Sequence, residues 1–326
     1  MRKIAFDVMG NDHGVRPAAE AVVEFVQHNL DYYFYLVGDR KEIDKYVKDN
    51  ERIKIVDVPL SVSGQANVRQ VRRQKTSMQV AIELVKSGAA DAVISPGNSG
   101  VYLSSLTLSL KRIPGLKRPA FMPIIPTVNA GQFFVMLDVG ANSVATSEML
   151  EQWAKMGSVF AKTILAIENP RVAVLNIGTE PTKGTELHQA VNQSLKKMPR
   201  LNYVGFVEPR DILNGQVDVV VCDGYGGNLV LKAMEGTALA FKKVLKNELK
   251  SRLSSQIGGL LVRKAFKRVE QKFDYRNVGS AWVIGVNGLA VKTHGNSDKQ
   301  AYLSALSRLA RALEEDYLAK FGGVFA

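Results

Sequence analysis

The chain has 326 residues, 46% of them hydrophobic and 23% charged, which supports a large core and excludes a collagen-like, coiled-coil or wholly disordered chain. Its formal net charge of +12, from 43 Lys and Arg against 31 Asp and Glu, favours an anionic partner: phosphate compounds, nucleic acid, an acidic protein or an anionic membrane. No apolar run reaches the roughly 18 residues needed to cross a bilayer.

The first expected strand is KIAFDVM (3–9). Asp7 interrupts its apolar run, so the opening residues read as a strand and not as a signal peptide, and a cytoplasmic address is expected. Asp12-His13 comes next. Histidine near neutral pH can move protons or donate to an oxyanion, although a lone histidine is more often structural. The helical stretch PAAEAVVEFVQHN leads to strands YYFYLVG (32–38) and RIKIVDV (52–58). The segment from Ser61 to Ser77 is polar, basic and weakly periodic, which predicts a mobile loop or flap. Helix SMQVAIELVKSG then precedes the strand in AADAVIS (89–95). Gly97-Asn98-Ser99-Gly100 follows that strand. Small residues let backbone N–H groups approach an anion, and a helix N-terminus adds its positive end; the plain alternative is an ordinary strand-to-helix turn.

Strand QFFVMLDVG (132–140) and helix SEMLEQWAKMGSVFAKTIL lead to strand RVAVLNIG (171–178). The stretch from Asn176 to Gly184 resembles a P-loop in part, but Lys183 precedes its glycine and the GxxxxGKS/T order fails. Lys183 beside Gly184 is either an anion-binding lysine or a solvated loop charge. Helix ELHQAVNQSLKKM and strand NYVGFV (202–207) precede DVVVCDG (218–224). The loop Asp223-Gly224-Tyr225-Gly226-Gly227-Asn228 permits close backbone approach to a ligand, yet it does not fit GxGxxG, so a nicotinamide dinucleotide site is unsupported. Cys222 is the single cysteine. It ends an apolar strand, reads as a small buried side chain, and cannot close an internal disulfide, which fits a reducing compartment.

The helical stretch GNLVLKAMEGTALAFKKVL runs into a region of different character. Ten basic residues lie between Lys242 and Lys272, opposed by Glu248 and Glu270 alone. Apolar residues recur every fourth position from Phe241 to Phe273, a ladder that drifts about 40° per step on a 3.6-residue helix. With Gly258-Gly259 midway as a natural break, the pattern predicts two amphipathic helices over 241–273, joined near Ser254–Gly259 and projecting as a hairpin. Its tip would hold Leu253, Ile257, Leu260, Leu261 and Val262 beside Arg252, Arg263 and Lys264. The apolar ladder of 241–273 is expected to help form a dimer interface while the 253–262 tip touches a membrane surface; the rivals are docking of an acidic protein on the basic flanks and packing of the tip against the partner subunit. Strands AWVIGV (281–286) and LAVKTHG (289–295) close the pattern, followed by His294-Gly295-Asn296-Ser297. The four histidines lack HExxH spacing and no Cys/His cluster exists, so no metal is expected. Strands alternating with helices predict a mostly parallel sheet covered on both faces, with ligands beyond the carboxyl ends of the strands.

These segments occur in an order that resembles the PlsX family of acyl-carrier-protein:phosphate acyltransferases. The resemblance runs nearly end to end through DVMGNDH (7–13), GDRKEI (38–43), SPGNSG (95–100), IPGLKRPA (113–120), LDVGAN (137–142), MGSVFA (156–161), NPRVAVLNIGTEPTKG (169–184), VVVCDGYGGNLVLKAMEG (219–236) and HGNS (294–297). Asn11 stands where the family usually has glycine, Ser99 where it has threonine and Pro96 where it has alanine.

The resemblance implies a Rossmann-like α/β fold of the isocitrate/isopropylmalate dehydrogenase group, in a homodimer that associates peripherally with the membrane. It implies conversion of an acyl-carrier-protein thioester and inorganic phosphate to acyl phosphate and free carrier protein. That product would feed a glycerol-3-phosphate acyltransferase in phospholipid synthesis, with no cofactor and no nucleic acid. On this reading Gly97, Asn98, Ser99, Gly100, Lys183, Gly184, Asp223 and Asn228 hold phosphate and substrate, and Lys183, His13 or His294 assists the chemistry. The alternatives are a phosphotransacetylase-like enzyme acting on coenzyme A thioesters, a metal- and nicotinamide-dependent dehydrogenase, and a non-enzymatic basic membrane-binding protein.

Overall fold

The structure, a computed structural model, describes residues 1–62, 74–272 and 280–322. The flap expected at 61–77 and the end of the ladder at Phe273 lie largely outside the described residues. The strands are β1 (Arg2–Asp7), β2 (Tyr32–Gly38), β3 (Ile53–Asp57), β4 (Ala92–Ser95), β5 (Ala120–Pro126), β6 (Phe133–Leu137), β7 (Val172–Leu175), β8 (Tyr203–Val207), β9 (Val219–Val221), β10 (Ser280–Ile284) and β11 (Leu289–Thr293). They form one sheet in the order β3-β2-β1-β4-β11-β10-β5-β6-β9-β7-β8. The principal helices are α1 (Arg16–His28), α2 (Ser77–Lys86), α3 (Ser99–Ser109), α4 (Ser147–Ile164), α5 (Glu186–Lys196), α6 (Gly224–Ser251), α7 (Leu253–Lys272), α8 (Lys299–Glu314) and α9 (Tyr317–Gly322).

Most strands are continuous runs of Val, Ile, Ala and Phe because both faces of the sheet are covered. Alternation along each strand divides the core in two. Ile4, Phe6, Phe34, Leu36, Val219 and Val221 pack on one side with Val22 of α1, Trp153 of α4, Leu195 of α5 and Leu306 of α8. Ala5, Val37, Val93 and Val220 pack on the other with Ile82 of α2 and Leu106 of α3, and Val230, Leu231 and Met234 of α6 join that side. Helices on both faces of a mostly parallel sheet agree with the expected architecture.

β5, α8 and the short α9 were not anticipated. β5 carries Pro123 and Pro126, residues that argue against a central strand, yet all seven of its residues are buried between β10 and β6. α8 is capped by Asp298, whose side chain accepts the Ala301 amide, and buries Ala301, Tyr302, Ala305, Leu306 and Leu309 at helical spacing.

β5 also changes the sheet's direction. β3, β2, β1, β4 and β11 are mutually parallel, as are β6, β9, β7 and β8. Between them, β10 is antiparallel to β11 and β5, and β5 is antiparallel to β6. The two parallel sets therefore run in opposite senses. In a flat sheet their carboxyl ends would point apart. Twist accumulates at roughly 20–25° per strand, about 100–125° over the five steps from β4 to β9, and turns those ends towards a common side.

A helical hairpin is present, with a different joint from the one expected. α6 runs unbroken from the end of β9 to Ser251, and the chain turns at Arg252, which has extended φ −138° and ψ 150°. Gln256 stabilises the turn: its side chain donates to the orphaned Lys250 carbonyl at 3.1 Å and its backbone N–H to the Arg252 carbonyl. Gly258-Gly259 lies inside α7 and is no break. A Cβ on Gly259 would meet Leu249 at 3.4 Å, an ordinary van der Waals contact, so Gly259 marks where α7 faces α6 without being required for it. Leu245 and Leu249 are half-buried on α6, whereas Ile257, Leu260 and Leu261 on α7 face outward in the single chain.

The start of α6 depends on glycine. A Cβ on Gly227 would collide with the Asp138 carbonyl oxygen and approach the Cys222 sulfur to 2.7 Å, whereas nothing lies within 4 Å of one on Gly236. Gly227→Ala should cost about 3 kcal/mol or more, as overpacking against rigid backbone does. Gly236→Ala should be neutral or stabilising by up to about 1 kcal/mol through helix propensity. Urea unfolding of both variants checks the contrast; equal effects would contradict this account of α6.

Candidate functional site

At the ends of β1, β4 and β11, three loops are tied together by buried polar groups. The Ser95 hydroxyl donates to Asp7 Oδ2 at 2.6 Å and accepts the Gly97 amide at 3.1 Å, and the Met9 amide donates to Asp7 Oδ1. Burial pushes the Asp7 carboxyl up to about 6, against the opposing pull of Ser95, Ser77, the Met9 amide and Lys292. Lys292, 9% exposed, donates from Nζ to the Pro96 carbonyl at 3.1 Å and to the Thr293 carbonyl. Burial holds its ammonium down at about 8, while Asp7 favours the charged form. Asn11 Nδ2 reaches the Ser297 carbonyl and the Tyr302 hydroxyl, and the Asp12 amide donates to the Gly295 carbonyl at 2.7 Å. Gly10 has φ +82°, and a Cβ there would lie 3.2 Å from the Gly97 Cα, so its loop presses directly on the Gly97 turn.

The expected anion turn sits at this junction. Gly97 is buried, while Asn98, Ser99 and Gly100 are exposed at the start of α3. Asn98 is the N-cap; its side chain accepts the Val101 amide. The Ser99 and Gly100 amides belong to the first turn, whose donors have no intrahelical partner. His294 is half-buried beside this turn. Burial is the main cause lowering its pKa, aided by Lys292, so the ring is neutral near pH 7. His13 lies on the exposed surface of the neighbouring loop.

The second group gathers at the ends of β6, β7 and β9. Asp138 is fully buried and accepts from the amides of Phe121, Ala141 and Asn142 and from Asn142 Nδ2. Burial raises its carboxyl to about 6 despite those bonds. Gly140, at φ +111°, lies against Asn228: a Cβ there would come 3.4 Å from the Asn228 amide carbon. Asp223 is the N-cap of α6 and accepts the Gly226 amide at 2.8 Å, so its carboxylate already serves the helix end. Lys183 is exposed at the end of β7, and its carbonyl accepts Asn176 Nδ2. Gly184, at φ +84°, turns the chain into α5, where Thr185 and His188 form a capping box.

α6 brings the two groups to one place. Asn228 belongs to its first turns, and Lys232 and Glu235 further along lie close enough to His294 for their charges to act on its imidazole. At 1.5 Å per residue, Asn228 is only about 6–10 Å along the axis from those two residues. The start of α6 therefore runs from the Asn228–Gly140 contact towards His294 of the first group. Gly97, Asn98, Ser99, Gly100 and His294 belong to the first group; Gly184, Asp223, Asn228 and Lys183 to the second. Arg252, Ile257, Leu260, Leu261, Arg263 and Lys264 lie far along the hairpin, and Leu253 opens α7.

Sequence reasoning missed Asp7, Ser95, Lys292 and Asp138. Three of them were visible as ionisable residues in or at the end of apolar strand runs, positions where burial perturbs ionisation. Cys222 is 3% exposed and its thiol donates to the Asp138 carbonyl at 3.2 Å; burial and the nearby Asp138 and Asp223 disfavour its thiolate.

The family profile described as "fatty acid synthesis protein" matches residues 2–320. A phosphate acyltransferase of Mycoplasma mobile is 52% identical over 323 residues, covering 98% of this chain and 99% of that one. Among solved structures, a phosphotransacetylase from Streptococcus pyogenes superposes with a TM-score of 0.63 at 18% identity, over 96% of this chain and 94% of that one. An isocitrate dehydrogenase from Methylococcus capsulatus does so at 0.51 and 12% identity, over 98% and 88%. At these identities the two structures share the fold alone.

With its thiol buried and its thiolate disfavoured, Cys222 has no chemical task. Cys222→Ser should retain turnover within about threefold, allowing for a modest packing cost. Loss of activity in a variant that still melts cooperatively would contradict this.

Proposed function

The chain belongs to the PlsX family of phosphate acyltransferases, and on that premise we propose that it transfers an acyl group from an acyl-carrier-protein thioester to inorganic phosphate. A phosphate oxygen attacks the thioester carbonyl, the new C–O bond forms a tetrahedral oxyanion, and its collapse breaks the C–S bond. The carrier thiolate leaves and takes a proton, and acyl phosphate remains. Phosphate is already nucleophilic at neutral pH, so the protein needs to position it, shield it and stabilise the oxyanion, with no activated side-chain nucleophile.

The observation carrying this reading is that α6 begins against the Asp138–Asn142 loop of the second group and passes near His294 of the first, beside the start of α3. The first-turn amides of Ser99 and Gly100 offer an anion site at a helix N-terminus. Neutral His294 can donate one ring N–H to an oxyanion, and Asn228 supplies an uncharged donor from the opposite side. Lys183 at the end of β7 is the cation assigned to phosphate, with His13 in a secondary role at the rim. The competing donor is a coenzyme A thioester. Acyl phosphate trapped as hydroxamate by hydroxylamine decides between them. Carrier-protein thioesters should react at least tenfold more efficiently than the coenzyme A forms, and the reverse order would replace this reading. Lys183→Ala should raise the KM for phosphate about tenfold with little change in Tm. Wild-type phosphate dependence in that variant removes Lys183 from the site.

The same reading places the enzyme at a membrane surface, as a homodimer, handing acyl phosphate to a glycerol-3-phosphate acyltransferase in phospholipid synthesis. Among the described residues no helix is long and apolar enough to cross a membrane. Leu260 and Leu261 are nevertheless 70% and 83% exposed, beside Arg263 and Lys264. A bilayer interface suits both apolar and basic groups, and anionic lipid adds about 1 kcal/mol per nearby cation. Leu260→Glu with Leu261→Glu should abolish binding to anionic vesicles while turnover and dimer mass stay near normal. Retained vesicle binding, or a dissociated dimer, counts against the membrane role.

A further inference from the structure

Lys292 is a cation inside a strand, where the polypeptide gains no stability from placing it. Removing an ammonium from water is costly, and an apolar residue of similar length would fit a strand more cheaply. Its position accounts for its presence. Nζ reaches across from β11 to the Pro96 carbonyl, the residue before Gly97, and also to the Thr293 carbonyl, the residue before His294. On the other side of the turn the Gly97 amide is held by Ser95, which is held by Asp7. The Gly97 turn is thus gripped by its carbonyl side through Lys292 and by its amide side through Ser95. Nearby, Ser297 is 2% exposed and its hydroxyl has no hydrogen-bond partner among the described residues.

We infer that Lys292 is a positioning residue for the phosphate nucleophile: its ammonium sets the Pro96–Gly100 turn and His294 in one register, so that the α3 amides and the imidazole address the same anion. This rests on the proposed phosphate site at that turn. Two carbonyls occupy two of the three N–H donors of Lys292, one just before the Gly97 turn and one just before His294. A neutral replacement would release the turn from β11, because it removes the donor that holds the Pro96 carbonyl.

The test uses the full-length protein and compares Lys292→Met and Lys292→Arg with wild type. Lys292→Met should raise the phosphate KM at least tenfold and leave the acyl-donor KM within twofold, while Lys292→Arg recovers a substantial part of the loss. A merely structural role would lower Tm or the active fraction and leave the phosphate KM unchanged, and that result overturns the inference. If Lys292→Met does not melt cooperatively, Ser95→Ala reports on the opposite grip, with a phosphate KM at least fivefold higher expected; an unchanged value overturns the inference. Phosphate-dependent thermal shift, with inorganic phosphate as the sole ligand, separates this idea from the assigned reaction. Should wild type form no acyl phosphate yet bind phosphate more tightly than Lys292→Met, the reaction falls and the positioning role stands. Equal phosphate shifts in wild type and Lys292→Met, or none in wild type, overturn the role of Lys292.

Discussion

Twist across a sheet that reverses direction is the constraint on which the arrangement depends. β10 and β5 interrupt two parallel strand sets, so the carboxyl ends of β1, β4 and β11 and those of β6, β7 and β9 belong to opposite senses of the sheet. Without accumulated twist the Gly97 turn and the Asn228 loop would face away from each other. With it, one helix can begin at the second group and pass beside the first. The glycines at the start of α6 are the local counterpart of that geometry, since Gly224 and Gly227 let the helix begin against the Asp138 and Asn142 backbone.

Buried ionisable groups then fix the loops. Asp7 and Asp138 occupy equivalent places, each at or just beyond the end of a central strand, each accepting from the loop that follows (the Met9 amide for Asp7, the Ala141 and Asn142 amides for Asp138), and each raised to about 6 by burial. Their value is geometric. A carboxylate that accepts several amides makes one loop conformation far better than its neighbours, and catalysis by positioning needs that definition. The cost is burial of charge, which the hydrogen bonds of Ser95 and Asn142 offset.

Much of this was legible in the residues. Short apolar runs rich in Val, Ile and aromatics announced ten of the strands, and Gly-rich segments after them marked the loops of the candidate site. β5 escaped because Pro123 and Pro126 suppress a strand reading, while burial on both faces and two antiparallel neighbours override that local signal. The hairpin was legible as two amphipathic helices but its joint was not. Gly258-Gly259 looks like a break in sequence, yet in three dimensions Gly259 is where α7 touches Leu249, and the turn falls at Arg252 because Gln256 can satisfy a carbonyl there. Asp223 and Asn98 looked like ligand-binding residues, and the structure engages their side chains as helix caps. Lys292 stood out as a charge within an apolar run, but its link to Ser95 was not legible, because no spacing rule joins residues so distant in sequence; only the β4–β11 pairing does.

The central claim is that two strand-end groups from opposite senses of the sheet serve one phosphate. A crystal structure with inorganic phosphate bound, at a resolution that places its four oxygens, tests this most directly. The account predicts phosphate at the start of α3, bonded to the Ser99 and Gly100 amides, with His294 on one side and Lys183 or Asn228 reaching it from the other. Phosphate bound by the β7 and β9 loops alone, with the Gly97 turn unoccupied, would contradict it.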